Sequence, residues 1–142
     1  MNSRFHKFFF IVFLVPFLVG MGSIFGEDSP DKIPVPELKY TAMFIDQMDV
    51  ITECTEVSIQ GKTYLEGKKG EGLYTIPFEN IKSILFMLKK GELTGIVKLR
   101  DGSKTTLILM IDHKAYGKAH VGTFQIKLIN LKKMEFLNKD KK

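Results

Sequence analysis

The stretch Gly67–Phe86 returns, without a gap, as Gly117–Phe136. Seven of the twenty positions are identical: the pairs Gly67/Gly117, Lys68/Lys118, Gly72/Gly122, Ile76/Ile126, Asn80/Asn130, Lys82/Lys132 and Phe86/Phe136. Tyr74/Phe124, Phe78/Leu128, Ile81/Leu131 and Ile84/Met134 keep apolar character. The matches fall on glycines and on alternate apolar positions, which backbone geometry and packing constrain. The pattern reads as an internal duplication of one structural unit, covering about 53–88 and 95–137. Val57-Ser-Ile-Gln-Gly61 and Val97-Lys-Leu-Arg-Asp-Gly102 read as corresponding pieces of the two copies.

The repeated pattern has the period of a strand. Phe124, Ile126 and Leu128 alternate with Thr123, Gln125 and Lys127, and Tyr74, Ile76 and Phe78 alternate with Leu73, Thr75 and Pro77. A period of two puts one set against a core and the other in solvent. Pro77 has no N–H for a ladder, which places it at a sheet edge or a strand end. Residues 78–90 are ambiguous, because Phe78, Ile81, Ile84, Leu85 and Leu88 also fit helical spacing. The second copy has Glu135 where the first has Leu85, which removes one member of the helical stripe. The expectation is therefore a bend at Glu79–Lys82 and a strand Ser83–Leu88, with a helix over 78–90 as the alternative.

Earlier in the chain, Tyr40–Ile45 and Val50–Gln60 read as strands on their content of Thr, Val, Ile and aromatics. The apolar phase slips within the second, which predicts a bulge near Thr55. Gly67-Lys-Lys-Gly-Glu-Gly72 lies between two strand-like runs and lacks the Ser or Thr after Gly-Lys that a phosphate loop requires, so it reads as a turn. Asp101-Gly102, between Gly95–Arg100 and Lys104–Ile111, predicts a two-residue hairpin turn. Leu107-Ile-Leu-Met-Ile111 is apolar at every position and predicts a strand covered on both faces.

Residues 1–26 stand apart. Arg4, His6 and Lys7 precede the apolar run Phe8–Val19, and a glycine-rich stretch closes at Gly26, the layout of a secretory signal peptide. That run is about twelve residues, while a stable bilayer-crossing helix needs roughly twenty. Cleavage is expected after Gly22 or Gly26; counting on to Phe25 leaves an uncleaved anchor as the alternative. Export, periplasmic or extracellular, follows from either. Membrane contact would come only through this segment, if it is not cleaved. Residues 27–38, with Pro30, Pro34 and Pro36, read as a linker, 39–137 as the β domain, and 138–142 as a basic tail.

Losing Arg4 and Lys7, with no acid removed, takes the formal charge from +5 to +3. That is too mild for nucleic acid, which calls for a concentrated basic stripe. Cys54 is the only cysteine, so no internal disulfide forms and the fold stands on its hydrophobic core. The segment Asp112–His120 holds both histidines of the mature chain and reads as an inserted loop. Asp112, His113 and His120 are its candidate metal ligands, although their spacing fits no specific zinc pattern. The sequence has no nucleophile elbow and no His-Glu-x-x-His. No cofactor motif is present either.

The expected architecture is mostly β: a small antiparallel barrel or sandwich built from two related units of about four strands. The expected function is a non-enzymatic exported module that binds a partner protein or cell-envelope component. A small-ligand or divalent-metal protein using the 112–120 loop is the alternative.

Overall fold

The computed structural model describes residues 32–137. The signal segment, the start of the linker and the basic tail lie outside the described residues. The chain divides into two units, Met1–Lys32 and Ile33–Lys142; all that follows concerns the second.

It is mostly β. Ten strands make one sheet: β1 (Ala42–Asp46), β2 (Ile51–Ile59), β3 (Tyr64–Lys69), β4 (Gly72–Pro77), β5 (Ile81–Lys89), β6 (Glu92–Leu99), β7 (Lys104–Leu109), β8 (Lys114–Ala119), β9 (Gly122–Lys127) and β10 (Leu131–Phe136). Single 3-10 turns, Phe78–Asn80 and Leu128–Asn130, join β4 to β5 and β9 to β10. Every neighbouring pair is antiparallel, in the order β4-β3-β7-β6-β5-β10-β1-β2-β8-β9. The sheet curls into a half-barrel. It wraps one core, so the expected alternative of two stacked sheets does not apply.

The two ends of this order are built alike. Ala42 pairs with Phe136 and Cys54, as Gly95 pairs with Phe86 and Leu107. Thr55 pairs with Lys118, as Ile108 pairs with Lys68. Backbone links between strands repeat too. The Gln47 amide donates to Asn130 O at 3.0 Å and the Arg100 amide to Asn80 O at 2.9 Å. Phe78 N–H donates to Thr63 O at 3.0 Å and Leu128 N–H to His113 O at 2.9 Å. Thus β6 and β7 occupy the places of β1 and β2. The hairpins β3–β4 and β8–β9 are each docked on the other end's strands, β7 and β2. The pairing corrects one sequence correspondence: Val97 lies opposite Ile84 as Phe44 lies opposite Met134, so Val97 matches Phe44 and not Val57.

Local chemistry accounts for the turns. Asp46 Oδ1 accepts from the amides of Met48 (2.8 Å) and Val50 (3.0 Å), closing the β1–β2 turn, and Lys132 Nζ donates to Asp49 beside it. The expected bulge is present: the β2–β8 register shifts between Thr55 and Ser58, and Glu56 takes φ 53°. The β6–β7 turn differs from the two-residue form. Leu99 N–H donates to Ser103 O (2.8 Å), Gly102 N–H donates to Leu99 O (3.0 Å), and Gly102 takes φ 93°. That is a three-residue loop with its glycine at the left-handed position. Two-residue turns lie elsewhere, one of them at Lys90-Gly91, φ 51° and 79°, where β5 meets β6.

No helix spans 78–90. Once Phe78 is seated in the core, Ile81, Ile84 and Phe86 continue into it from a strand whose other face is open. The 107–111 run was expected to be covered on both sides. Leu107 and Leu109 are buried, but Ile108 is exposed because nothing among the described residues stacks on the outer face of β7, and Met110 and Ile111 are exposed beyond the strand's end at Leu109. Pro36, within the expected linker, is buried, and Pro34 Cβ lies 3.1 Å from where a Cβ on Gly61 would sit.

Candidate functional site

Asp112–His120 is not a loop. Lys114–Ala119 is strand β8, with Asp112 and His113 before it and His120 in the turn after it. A six-residue strand at about 3.3 Å per residue keeps the two histidines roughly 20 Å apart. Asp112, His113 and His120 therefore cannot share one ion. Among the described residues no group of three His, Cys, Asp or Glu side chains is placed to hold a metal.

His113 does line a cleft of about 200 Å³ with Ile59, Gln60, Lys62, Tyr64 and Glu66, where β2 ends and β3 begins. Gln60 fixes one wall: its Oε1 accepts from the Lys114 backbone N–H at 2.7 Å, and its backbone N–H donates to Lys114 O at 2.9 Å. Lys62 Nζ sits 5.9 Å from the centre of the Tyr64 ring. The cleft gathers an imidazole, an ammonium, a phenol and a carboxylate, and only His113 of the three candidate ligands reaches it.

The sheet's outward face offers a larger arrangement. The registers place Ile51 (β2), Ile45 (β1), Lys133 (β10), Leu85 (β5), Ile96 (β6) and Thr106 (β7) side by side. With strands about 4.8 Å apart, that row is roughly 24 Å long. Beside it, Met87 and Ile108 flank Thr94 in a second row. Ile51 is 61% exposed, Leu85 42%, Ile108 40% and Met87 39%. On the other side of the long row, Glu53, Met43, Glu135, Ser83, Lys98 and Lys104 are neighbours in the same register. That third row is acidic toward β2 and β10 and basic toward β6 and β7. Lys133 Nζ lies 3.4 Å from Glu135 Oε1 and ties the two rows together. A solvated sheet face ordinarily alternates to polar residues. Sequence reasoning missed this face because Ile84-Leu85-Phe86-Met87-Leu88 is apolar without interruption. Such a run shows no period and gives no hint that half of it points outward.

Cys54 in β2 takes no part in either arrangement. It is fully buried, and burial, with a smaller contribution from Glu53, pushes its thiol up to about 11 from an ordinary 9.0. A folded-state pKa above the unfolded value means that the thiol's contribution to stability is complete below about pH 9 and is lost as pH rises toward about 11. Urea unfolding of the wild type should therefore weaken over that window, and the decline should be smaller in Cys54→Ala. The native thiol should also resist alkylation at about pH 8 and react once the chain unfolds. Equal pH slopes in the two proteins would contradict this assignment.

A family model described as "Uncharacterised protein" matches residues 37–139, and the chain belongs to that family. No curated protein and no solved structure matches it.

Proposed function

We propose that this family member is an exported, non-enzymatic binding module whose outward sheet face docks on a partner protein or a component of the cell envelope. The observation that carries the reading is the exposed apolar surface on either side of Lys133: Ile51 with Ile45, and Leu85 with Ile96, the latter pair continued by Met87 and Ile108 in the next row. Contiguous apolar surface on a folded domain marks contact sites, whereas isolated exposed apolar residues mean little. The signal-like segment at residues 1–26 supports export.

Magnitudes limit the kind of contact. Full burial of such a side chain contributes about 1.5–3 kcal/mol, and these are already partly covered, so each offers roughly 1 kcal/mol. Six of them together come near the low end of the about 4–15 kcal/mol that association costs. The apolar row alone would support only a weak complex. The adjoining row, with Glu53 and Glu135 at one end and Lys98 and Lys104 at the other, supplies orientation and further attraction to a partner of complementary charge.

The likeness of the two ends of the sheet belongs to the same reading. One ancestral unit of five strands, duplicated, accounts for both the sequence repeat and the matching registers. On this view the expected unit of about four strands gains one, and its copies run over β1–β5 and β6–β10. The outward face is where the copies differ most: Leu85 answers to Glu135, and Ile108 to Thr55. A face that has diverged while the core kept its pattern is where a new partner would be accommodated.

The test is retention of a partner from an envelope extract by wild-type protein and by Leu85→Asp. Leu85 points outward, so the substitution should leave the fold intact by circular dichroism. Capture should fall at least tenfold. Undiminished capture by a correctly folded Leu85→Asp would refute the face as the docking surface.

A further inference from the structure

The two outermost strands of the sheet are unlike each other. Edge β9 carries Gln125 and Lys127 on its outward-facing set. Edge β4, Gly72-Leu-Tyr-Thr-Ile-Pro77, has no charged residue, and Leu73 and Tyr74 are 58% and 50% exposed. Natural edges are usually blunted by lysine, an inward charge, a bulge or a covering segment. Among the described residues β4 has none of these apart from Pro77 at its last position, and no strand lies beyond it.

The register shows which backbone groups this edge offers. Gly70-Glu71 is a two-residue turn closing on the pair Lys69/Gly72, with Gly70 at φ 62°. The closing pair of such a hairpin exchanges hydrogen bonds, and bonded pairs then alternate along the strand. Gly72, Tyr74 and Ile76 therefore spend their N–H and C=O groups on β3. Those of Leu73 and Thr75 point away from the sheet, together with the carbonyl of Pro77. Proline falling in the outward set agrees with this parity, since no bond to β3 is lost there.

We propose that β4 is a pairing edge for β4 of a second copy of this chain, antiparallel about a two-fold axis through Tyr74. In that register Leu73 exchanges both backbone bonds with Thr75 of the second copy, and Thr75 with its Leu73. Tyr74 meets Tyr74 of the second copy in the close, non-hydrogen-bonded position, where aromatic cross-strand pairs contribute most. The strand is its own complement: with no charge on it, self-pairing brings no like charges together. Pairing of β4 with β9 of another copy would leave one edge of each kind free and grow filaments, whereas the two-fold arrangement closes. The inference is independent of the outward face and stands or falls without it.

Single cysteines in the full-length chain, oxidised in cells with copper phenanthroline, test the register. Tyr74→Cys places two thiols across the axis within disulfide range, while Cys54 is buried and does not compete. Tyr74→Cys should give at least ten times more disulfide-linked dimer than Leu73→Cys or Thr75→Cys. Adding Thr75→Pro, which removes an outward N–H without touching the β3 ladder, should abolish it. Equal linkage at all three positions, no linkage at Tyr74, or linkage only between Tyr74→Cys and Phe124→Cys chains would overturn the proposal. Sedimentation of wild type against Thr75→Pro gives a readout independent of the thiols: a dimer for the first and a monomer for the second. A wild type that stays monomeric overturns it as well.

Discussion

Gly117→Ala is expected to lower the unfolding free energy by about 2–3 kcal/mol, and Gly67→Ala by a similar amount. A Cβ on Gly117 would lie 2.7 Å from Cys54 Cβ, 3.2 Å from Val57 Cγ1 and 3.3 Å from Cys54 Sγ. A Cβ on Gly67 would lie 2.8 Å from Leu107 Cβ and 3.0 Å from Leu109 Cδ2. In each case the nearest atom is a Cβ, tied rigidly to a neighbouring strand, so no rotamer change relieves the overlap and the strands themselves must part. Gly95 provides the contrast. Its close neighbour at 2.8 Å is Leu109 Cδ1, the far end of a side chain that can turn aside, and Gly95→Ala should cost less than half as much. Gly72, whose nearest neighbour would be 3.4 Å away, should tolerate alanine within about 0.5 kcal/mol. Urea unfolding of the four variants checks the order. Losses below about 0.5 kcal/mol at both Gly67 and Gly117 would show that the strands do not approach this closely.

Phe78→Ala should be the most damaging single truncation, at about 3–5 kcal/mol, because the site is enclosed and cannot collapse onto the missing ring. Phe78 is fully buried, 5.7 Å from the Tyr40 ring in an edge-on contact and 4.7 Å from the Phe136 ring. Its partners come from before β1 and from β10, so one side chain on the first 3-10 turn holds both ends of the domain. Against a typical total stability of about 5–15 kcal/mol, such a loss removes between about a fifth and nearly all of it. Phe78→Leu should cost only a fraction of this, since leucine keeps most of the buried apolar volume, and Leu128 on the second 3-10 turn is itself buried. Thermal unfolding separates the two substitutions. Equal melting temperatures for Phe78→Ala and wild type would mean that the ring does not bridge the two ends.

Much of the architecture was legible where a local rule applies. The period of two in Thr123–Leu128 forecast β9, the slip of phase near Thr55 forecast the bulge, and Pro77 forecast the end of an edge strand. No helix forms over 78–90, and the sequence argument against one came from Glu135, which stands where the similar stretch Gly67–Phe86 has Leu85. Local rules failed where burial on the outer face decided the outcome. Leu107–Ile111 is uniformly apolar, and no periodicity separates a strand covered on both sides from one left open on one side. The candidate ligands failed for a related reason. Asp112, His113 and His120 are close in sequence, but an extended strand between the histidines carries them to opposite ends, while Lys62, Tyr64 and Glu66 arrive beside His113 from a segment fifty residues earlier.

By itself the sequence determined that this chain forms strands and where most of them turn, because each of these depends on residues a few positions apart; the likeness of Gly67–Phe86 to Gly117–Phe136 is read by direct comparison of the two stretches. Only the tertiary structure decided that β3–β4 docks on β7 and β8–β9 on β2. Backbone ladders are chemically the same for any pair of strands, so hydrogen bonding cannot choose the partner. The choice lies in side-chain fit across the sheet, where Gly67 admits Leu107 and Gly117 admits Cys54, and that fit exists only once distant segments have met.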